Sequence, residues 1–475
     1  MKTKSLLMLA VLALLATVGF TSCDELALED NPMQSYLTMR TSDVTLKVGE
    51  TYLRKAVAAG TAVVVYSSSD ATVATVDQAG TVTAVAAGTA VITAQTTGYN
   101  AEGKKIYLAE EKSYKVTVKA AVTSLSLDKA NLRFDKNILT AQALTPTVTP
   151  SDAAITWTSS NENVATVDAN GQVTPKAKGT ATITAKAGDL TATSTIYVYD
   201  KIWNVNTDGN ADVTTNESWL IEGDVTTSVS KSITIEAGAT VTLNGINITN
   251  GIKCLGDATI ILADGSTNTV IGSFLKAGIV VGPSGTTLTI DAETAGDGKL
   301  NATGGMQSAG IGSSYNYSLD ITCGAITIKG GEITAKGGLY GAGIGTGLNI
   351  DKNNTCGAIT INGGTVTATG GKYAAGIGTG LVDLSGSNTC GAIAITANVT
   401  KVTVTKGEDS PNIMGVGYLA SGTLNCGTIT FGTAQVFDGT AATCTWSPSD
   451  PLTAGTYGGL NLAISGNTWT LTPAP

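Results

Sequence analysis

One hexad recurs through the second half of the chain at nearly constant spacing. Cys323, Cys356, Cys390 and Cys426 each open Cys-Gly-x-Ile-x-[Ile/Phe], at intervals of 33, 34 and 36 residues. A second block keeps the same period: Ala309-Gly310-Ile311-Gly312, Ala342-Gly343-Ile344-Gly345 and Ala375-Gly376-Ile377-Gly378. Degenerate copies stand at Ala277-Gly278-Ile279-Val280 and Met414-Gly415-Val416-Gly417. A fixed period of this size means stacked units, each burying its apolar face on the next. Alternation in Ala325-Ile326-Thr327-Ile328 is the period of a strand and excludes helical repeats. One coil per repeat, with Ile and Val inward, Thr outward and Gly pairs at the corners, predicts a right-handed parallel β-helix over 200–475. Earlier runs such as Ile233-Thr234-Ile235 and Val241-Thr242-Leu243 fit the same tube. About seven coils at about 4.8 Å each predict a rod of roughly 35 Å. Trp203 and Trp219 then fall before the rod and Trp446 and Trp469 at its end, as buried caps.

The first half holds a different repeat. Tyr66 begins YSSSDATVATVDQAGTVTAVAAGTAVITA, and 91 residues later Trp157 begins WTSSNENVATVDANGQVTPKAKGTATITA. Val-Asp followed by Gly-x-Val-Thr is two short strands across a tight turn, at Gly80 and again at Gly171. Short strands broken by Gly turns indicate a sandwich, with Trp157 expected between its sheets. Lys47-Val48-Gly49-Glu50, Trp157-Thr158-Ser159-Ser160, Val164-Ala165-Thr166-Val167-Asp168 and Gly179-Thr180 resemble the bacterial Ig-like group 2 family, over about 35–118 and 121–198. The first copy departs from the pattern with Tyr66 for Trp and a longer loop from Gly98 to Glu111; the second has Asp135-Lys136-Asn137 in place of the Gly-Glu turn. The resemblance implies display rather than chemistry and brings no catalytic residues. The runs IEAGATVTLNGINI, STNTVIG, AGIVVG and LTI resemble β-helical modules of bacterial surface proteins over most of 225–432, some of which are described as carbohydrate-binding. The expected fold class is therefore all-β, with Ig-like domains at 35–119 and 120–199.

The N-terminus reads as an address. Lys2 and Lys4 precede an apolar run from Leu6 to Leu15, and Cys23 follows small or polar residues. This is the layout of a secretory signal over 1–22, and its Phe20-Thr21-Ser22-Cys23 ending is similar to a lipoprotein box, with Cys23 the expected lipidation site. Acyl chains there would anchor the chain stably. The acidic stretch at 23–34 resembles an export signal to the outer face of the outer membrane.

The side-chain inventory closes several routes. There is no His, which removes Ser-His-Asp and Cys-His catalysis and His-ligated zinc. Residues 200–475 carry 11 basic and 20 acidic side chains, and all three Arg lie before residue 134. Such a segment does not suit nucleic acid. Asp257, Asp264, Asp291 and Asp297 do not recur with the period, so no paired carboxylates are indicated for glycoside hydrolysis. No cofactor is expected.

Three groups of residues remain as candidates. The Cys column reads either as an inward ladder of small apolar side chains, as adjacent-coil disulfides, or as thiolate ligands. Asn206, Asp208, Asn210, Asp212 and Glu217 mimic the oxygen spacing of a calcium loop, although Ala211 stands at the turn position where Gly is required. The segments after each Gly-Ile-Gly block vary in sequence, and variable loops on a constant scaffold are where recognition sits. Tyr315, Tyr317 and Tyr418 lie in them; Tyr340 and Tyr373 are 33 apart and are expected to stack on neighbouring coils. These rings either face a ligand or pack at Gly-rich corners. The leading expectation is a non-catalytic surface lipoprotein whose stalk displays a head for adhesion or glycan binding. The alternatives are a structural envelope protein that binds partner proteins, and a carbohydrate-active enzyme.

Overall fold

The computed structural model describes residues 37–58, 62–96, 109–294, 296–438 and 452–475. The expected signal peptide, Cys23, the tether at 23–34, Cys444 and Trp446 lie outside the described residues. Among the described residues the secondary structure is strand throughout, with no helix. The chain divides into two compact units, 1–128 with 146–156 and 185–192, and 129–145 with 157–184 and 193–475.

The first unit contains a sandwich. Val44–Lys47 runs parallel to Glu111–Lys119, which pairs antiparallel with Gly88–Thr96 and onward to Val64–Ser68. A three-stranded sheet of Thr51–Leu53, Thr81–Ala84 and Ala74–Val76 completes it. Alternation decides the core: Ala90, Ile92, Val116 and Val118 point inward and join Val82 and Ala84. The second copy repeats the plan, with Asn131–Asp135 parallel to Leu190–Tyr199. The aromatic that opens each copy lies on a turn glycine. Gly171 has φ +79°, and a Cβ there would meet the Trp157 ring; Gly80 bears the same relation to Tyr66. Trp157 is half-buried against that turn instead of filling the space between sheets.

The second unit also holds the β-helix. Its largest sheet has ten strands, from Lys201–Asn204 to Ala434–Phe437, parallel except for the last pair. The rod therefore begins at Lys201 and has nine parallel rungs where seven coils were expected. The reason lies in the coil lengths. The step from Ile233 to its register partner Ile252 is 19 residues, whereas Ile311 to Ile344 is 33. Early coils are too short to carry the repeated signature. The later ones spend their extra residues on a fourth sheet, Ile321–Cys323, Asn354–Cys356, Ser387–Cys390 and Thr423–Cys426, and on the loops before it.

Identical residues stack in register, which is what a constant period requires. Ile326, Ile359, Ile393 and Ile429 form one buried column, and Ile311, Ile344, Ile377 and Met414 another. Thr327 and Thr360 face out between them. Cys323, Cys356 and Cys390 form a buried column of thiols, and Cys254 is a buried thiol on a different sheet. Neighbour contact and burial hold Cys356 and Cys390 well above the ordinary thiol range, and burial alone pushes Cys254 up to about 12. These side chains are buried fillers, placed as in the inward ladder among the readings of the sequence.

Both ends of the rod are closed. Trp203 and Trp219 lie on its first two rungs, not before it, with ring centroids 5.7 Å apart and Lys201 Nζ 4.0 and 4.5 Å from them. At the far end Thr468–Pro473 pairs antiparallel with Lys401–Thr405, and Trp469 is buried edge-on to Phe431.

Within the second unit, residues of the second Ig-like copy that belong to it bond to the rod. One residue, Asp200, separates Leu190–Tyr199 from Lys201–Asn204. Its buried carboxylate accepts from Lys136 Nζ at 2.9 Å, Lys178 Nζ at 2.7 Å and the Ser218 N–H at 2.7 Å. Burial works to raise its pKa, but the two lysines and that N–H outweigh it and hold the group below the ordinary carboxylate range. Arg133 pairs with the buried Glu293 of the rod.

Two outcomes follow from the stacking. Gly345 has φ +136°, and a Cβ there would run into the Gly378 carbonyl of the next coil. Gly345→Ala should lower stability by about 1–3 kcal/mol in denaturant titration; an unchanged midpoint would contradict the close coil approach. With Cys23 and Cys444 replaced by Ser, Cys254, Cys323, Cys356 and Cys390 should resist alkylation in the folded protein at pH 8. All four should react after denaturation without reductant, and a shortfall read by mass spectrometry would show disulfides instead of thiols.

A tyrosine-walled cleft on the β-helix

The corner that follows each Gly-Gly-x-[Ile/Val]-Thr-Ala strand repeats in register. Leu339 N–H donates to Met306 O at 2.5 Å, Lys372 N–H to Leu339 O at 2.6 Å and Asp409 N–H to Lys372 O at 2.9 Å. This ladder sets Gln307, Tyr340 and Tyr373 on successive coils as one wall. The variable loops form the floor, because Asn316, Asn349, Val382 and Leu419 bridge in parallel from coil to coil. Their neighbours fall into columns: Tyr315, Leu348, Leu381 and Tyr418 on one side, Tyr317, Ile350, Asp383 and Ala420 on the other. Wall and floor are joined coil by coil. Leu348, Leu381 and Tyr418 donate their N–H groups to the carbonyls of Gln307, Tyr340 and Tyr373, at 2.8, 3.1 and 2.9 Å.

The result is a concavity of about 730 Å³. Tyr340 and Tyr373 stack with ring centroids 5.8 Å apart, and Tyr418 is tilted against Tyr373 at 5.6 Å. Tyr340 and Tyr373 are half-buried and Tyr418 is exposed, so the rings pack on one another and still line the cleft. The remaining charge is acidic, from Asp383 and Asp409. Lys372 stands at the rim, 5.2 Å from the Tyr373 ring centroid and 3.4 Å from Asp409 Oδ2. Tyr373 and then Asp409 raise its pKa, so it stays charged and engaged. Buried amides brace the floor from beneath: Asn354 Nδ2 donates to Gly347 O and Asn388 Nδ2 to Gly380 O.

Of the five candidate tyrosines, three meet. Tyr315 shares a column with Tyr418 but lies on an earlier coil, against a separate concavity of about 380 Å³. Tyr317 is 65% exposed beyond the cleft. Gln307, Asp383 and Asp409 were not singled out from the sequence; aligning the loops on the Gly-Ile-Gly blocks would have put Asp383 beside Leu381.

The calcium-loop oxygens are spent on backbone. Asp208 Oδ2 accepts from Asn204 N–H, Asn206 Oδ1 from Asp224 N–H and Asn210 Oδ1 from Ser232 N–H, while Glu217 Oε2 accepts from the Trp219 indole. Asp212 is an exposed residue of Ala211–Val213. Among the described residues no group of three or more Cys, Asp or Glu is placed to hold a metal ion. Three further carboxylates of the rod also hold backbone: Asp257 accepts from Thr287 N–H, Asp264 from Gly296 N–H and Asp297 from Gly265 N–H.

Comparison with known proteins agrees with this architecture. The bacterial Ig-like domain (group 2) family matches residues 37–104 and 121–198, and the β-helix repeat family matches 296–315, 326–348 and 359–381. Ice-binding protein 1 of Shewanella frigidimarina is 30% identical over 168 residues, 34% of this chain and 18% of that protein. An uncharacterized protein of Clostridium acetobutylicum is 34% identical over 142 residues, 28% of this chain and 14% of its own. The chain thus spans less than a fifth of either relative. Among solved structures, surface layer protein SbsC domains 1–6 aligns over 35% of this chain and 27% of its own at 19% identity and a TM-score of 0.18. An intimin fragment in complex with the translocated intimin receptor aligns over 34% and 62% at 22% identity and 0.21. The chain carries two bacterial Ig-like domains of group 2 followed by β-helix repeats.

Proposed function

We propose that this chain is a cell-surface lipoprotein of the outer membrane, anchored through Cys23, whose Ig-like domains display a β-helical head that binds glycans without catalysis. The observation that carries the reading is the cleft walled by Tyr340, Tyr373 and Tyr418 on an otherwise regular solenoid. Its volume suits a small ligand, and it combines aromatic rings with a few polar groups. Outward display is supported by the signal-like N-terminus with its acidic stretch, and by the Ig-like domains. A non-catalytic role is supported by Asp257, Asp264 and Asp297, whose oxygens already accept backbone N–H groups.

The name of the Shewanella relative raises an ice-binding reading. A regular outward Thr face would favour it. Here one outward column runs Thr240, Thr259, Thr289, Thr327 and Thr360 and is interrupted at Ala394 before Thr430, while the adjacent sheet carries a Lys299–Glu332 ion pair on its outer face. Adhesion through a protein partner remains the competing outcome of the test.

The test is a glycan array and a matrix-protein panel with the full chain, compared with Tyr340→Ala and Tyr373→Ala. Each substitution should weaken glycan binding by roughly tenfold while the chain stays folded, with the unfolding midpoint lowered only by the loss of one ring contact, about 1 kcal/mol. Binding confined to proteins, or glycan binding indifferent to both tyrosines, would overturn the reading.

A further inference from the structure

We infer that the cleft takes an uncharged, linear oligosaccharide laid along the rod axis, with acidic glycans excluded; this rests on the glycan reading above. Two observations point to it. The first is translational repetition. Gln307, Tyr340 and Tyr373 occupy one position on three successive coils, and Leu348, Leu381 and Tyr418 occupy the facing position. The cleft therefore offers one wall position and one facing position on each coil, about every 4.8 Å, with Tyr340 and Tyr373 on neighbouring wall positions and Tyr418 on a facing one. A ligand that fills it must itself repeat at short intervals along a line. A linear polymer of rings does so, whereas a compact or branched ligand meets only one coil's worth of contacts.

The second observation is charge. Asp383 and Asp409 line the cleft, and no cation does. Lys372, at the rim, already answers Asp409 at 3.4 Å. Asp383 on the floor is exposed and faces the ligand space. A uronate or sialate in this space would meet an uncompensated carboxylate, and like-charge juxtaposition is a strong means of rejecting a partner. Sugar hydroxyls, by contrast, are donors that carboxylates and the Gln307 amide accept well.

The experiment measures binding of the full chain to neutral oligosaccharides (glucan, mannan, xylan and galactan series) and acidic ones (galacturonan, glucuronan and alginate series), from disaccharide to hexasaccharide. Expected is tighter binding with each added sugar up to about the span of the cleft and a plateau beyond it. Neutral ligands should be preferred over acidic ones by about tenfold or more. Asp383→Asn should narrow that preference by admitting acidic ligands. Acidic glycans bound as tightly as neutral ones, with sensitivity to Tyr340→Ala, would overturn the inference and leave the glycan reading standing. No length dependence beyond the disaccharide would also overturn it. No glycan bound by any series would overturn both.

Discussion

The parallel backbone ladder from coil to coil is the interaction on which the head depends. In a parallel β-helix the N–H and C=O groups point along the rod, so each coil is satisfied only by the coils on either side. That demand fixes register. Once Ile326 pairs with Ile359, every residue of the coil is placed relative to its counterpart one repeat away. Register then decides packing, since like residues stack into columns and the interior is filled chiefly by shapes that tile: Ile, Val, Leu, Ala and thiols. It also decides where the backbone must pass too close for a side chain, as at Gly345 against Gly378.

The same constraint turns a loop into a site. A surface loop on an ordinary fold varies freely, but here each loop leaves and rejoins a coil at fixed points. Asn349, Val382 and Leu419 are consequently bridged in sequence, and Gln307, Tyr340 and Tyr373 are laddered above them. Tyrosines set on a regular spacing are a product of the repeat. Asn354 and Asn388, buried below, hold the loop carbonyls that a purely apolar interior would leave unsatisfied.

Much of this was legible in the residues themselves, for a physical reason. A period of 33 with strand alternation admits one architecture, and the register of Ile326, Ile344 and Cys356 with their repeats follows from it. The stacking of Tyr340 on Tyr373 follows from the same spacing. The early coils were harder to read because a coil of 19 residues carries no loop and no Cys-Gly corner, so the rungs bearing Trp203 and Trp219 have no motif to announce them. The polar part of the cleft was hidden as well. Asp409 belongs to a corner with no Tyr and no Gly-Gly pair, and only the ladder through Lys372 shows it to be equivalent. The oxygen spacing at Asn206 to Glu217 has two readings for the opposite reason: alternating Asn and Asp serve turns as readily as they serve ions.

The most direct measurement is a crystal structure of the full chain soaked with a neutral tetrasaccharide that it binds. The proposal requires sugar density running parallel to the rod axis against Tyr340, Tyr373 and Tyr418, with hydroxyls on Asp383 or Gln307. Density at any other face of the rod, or on the Ig-like domains, with the tyrosine cleft empty, would contradict it.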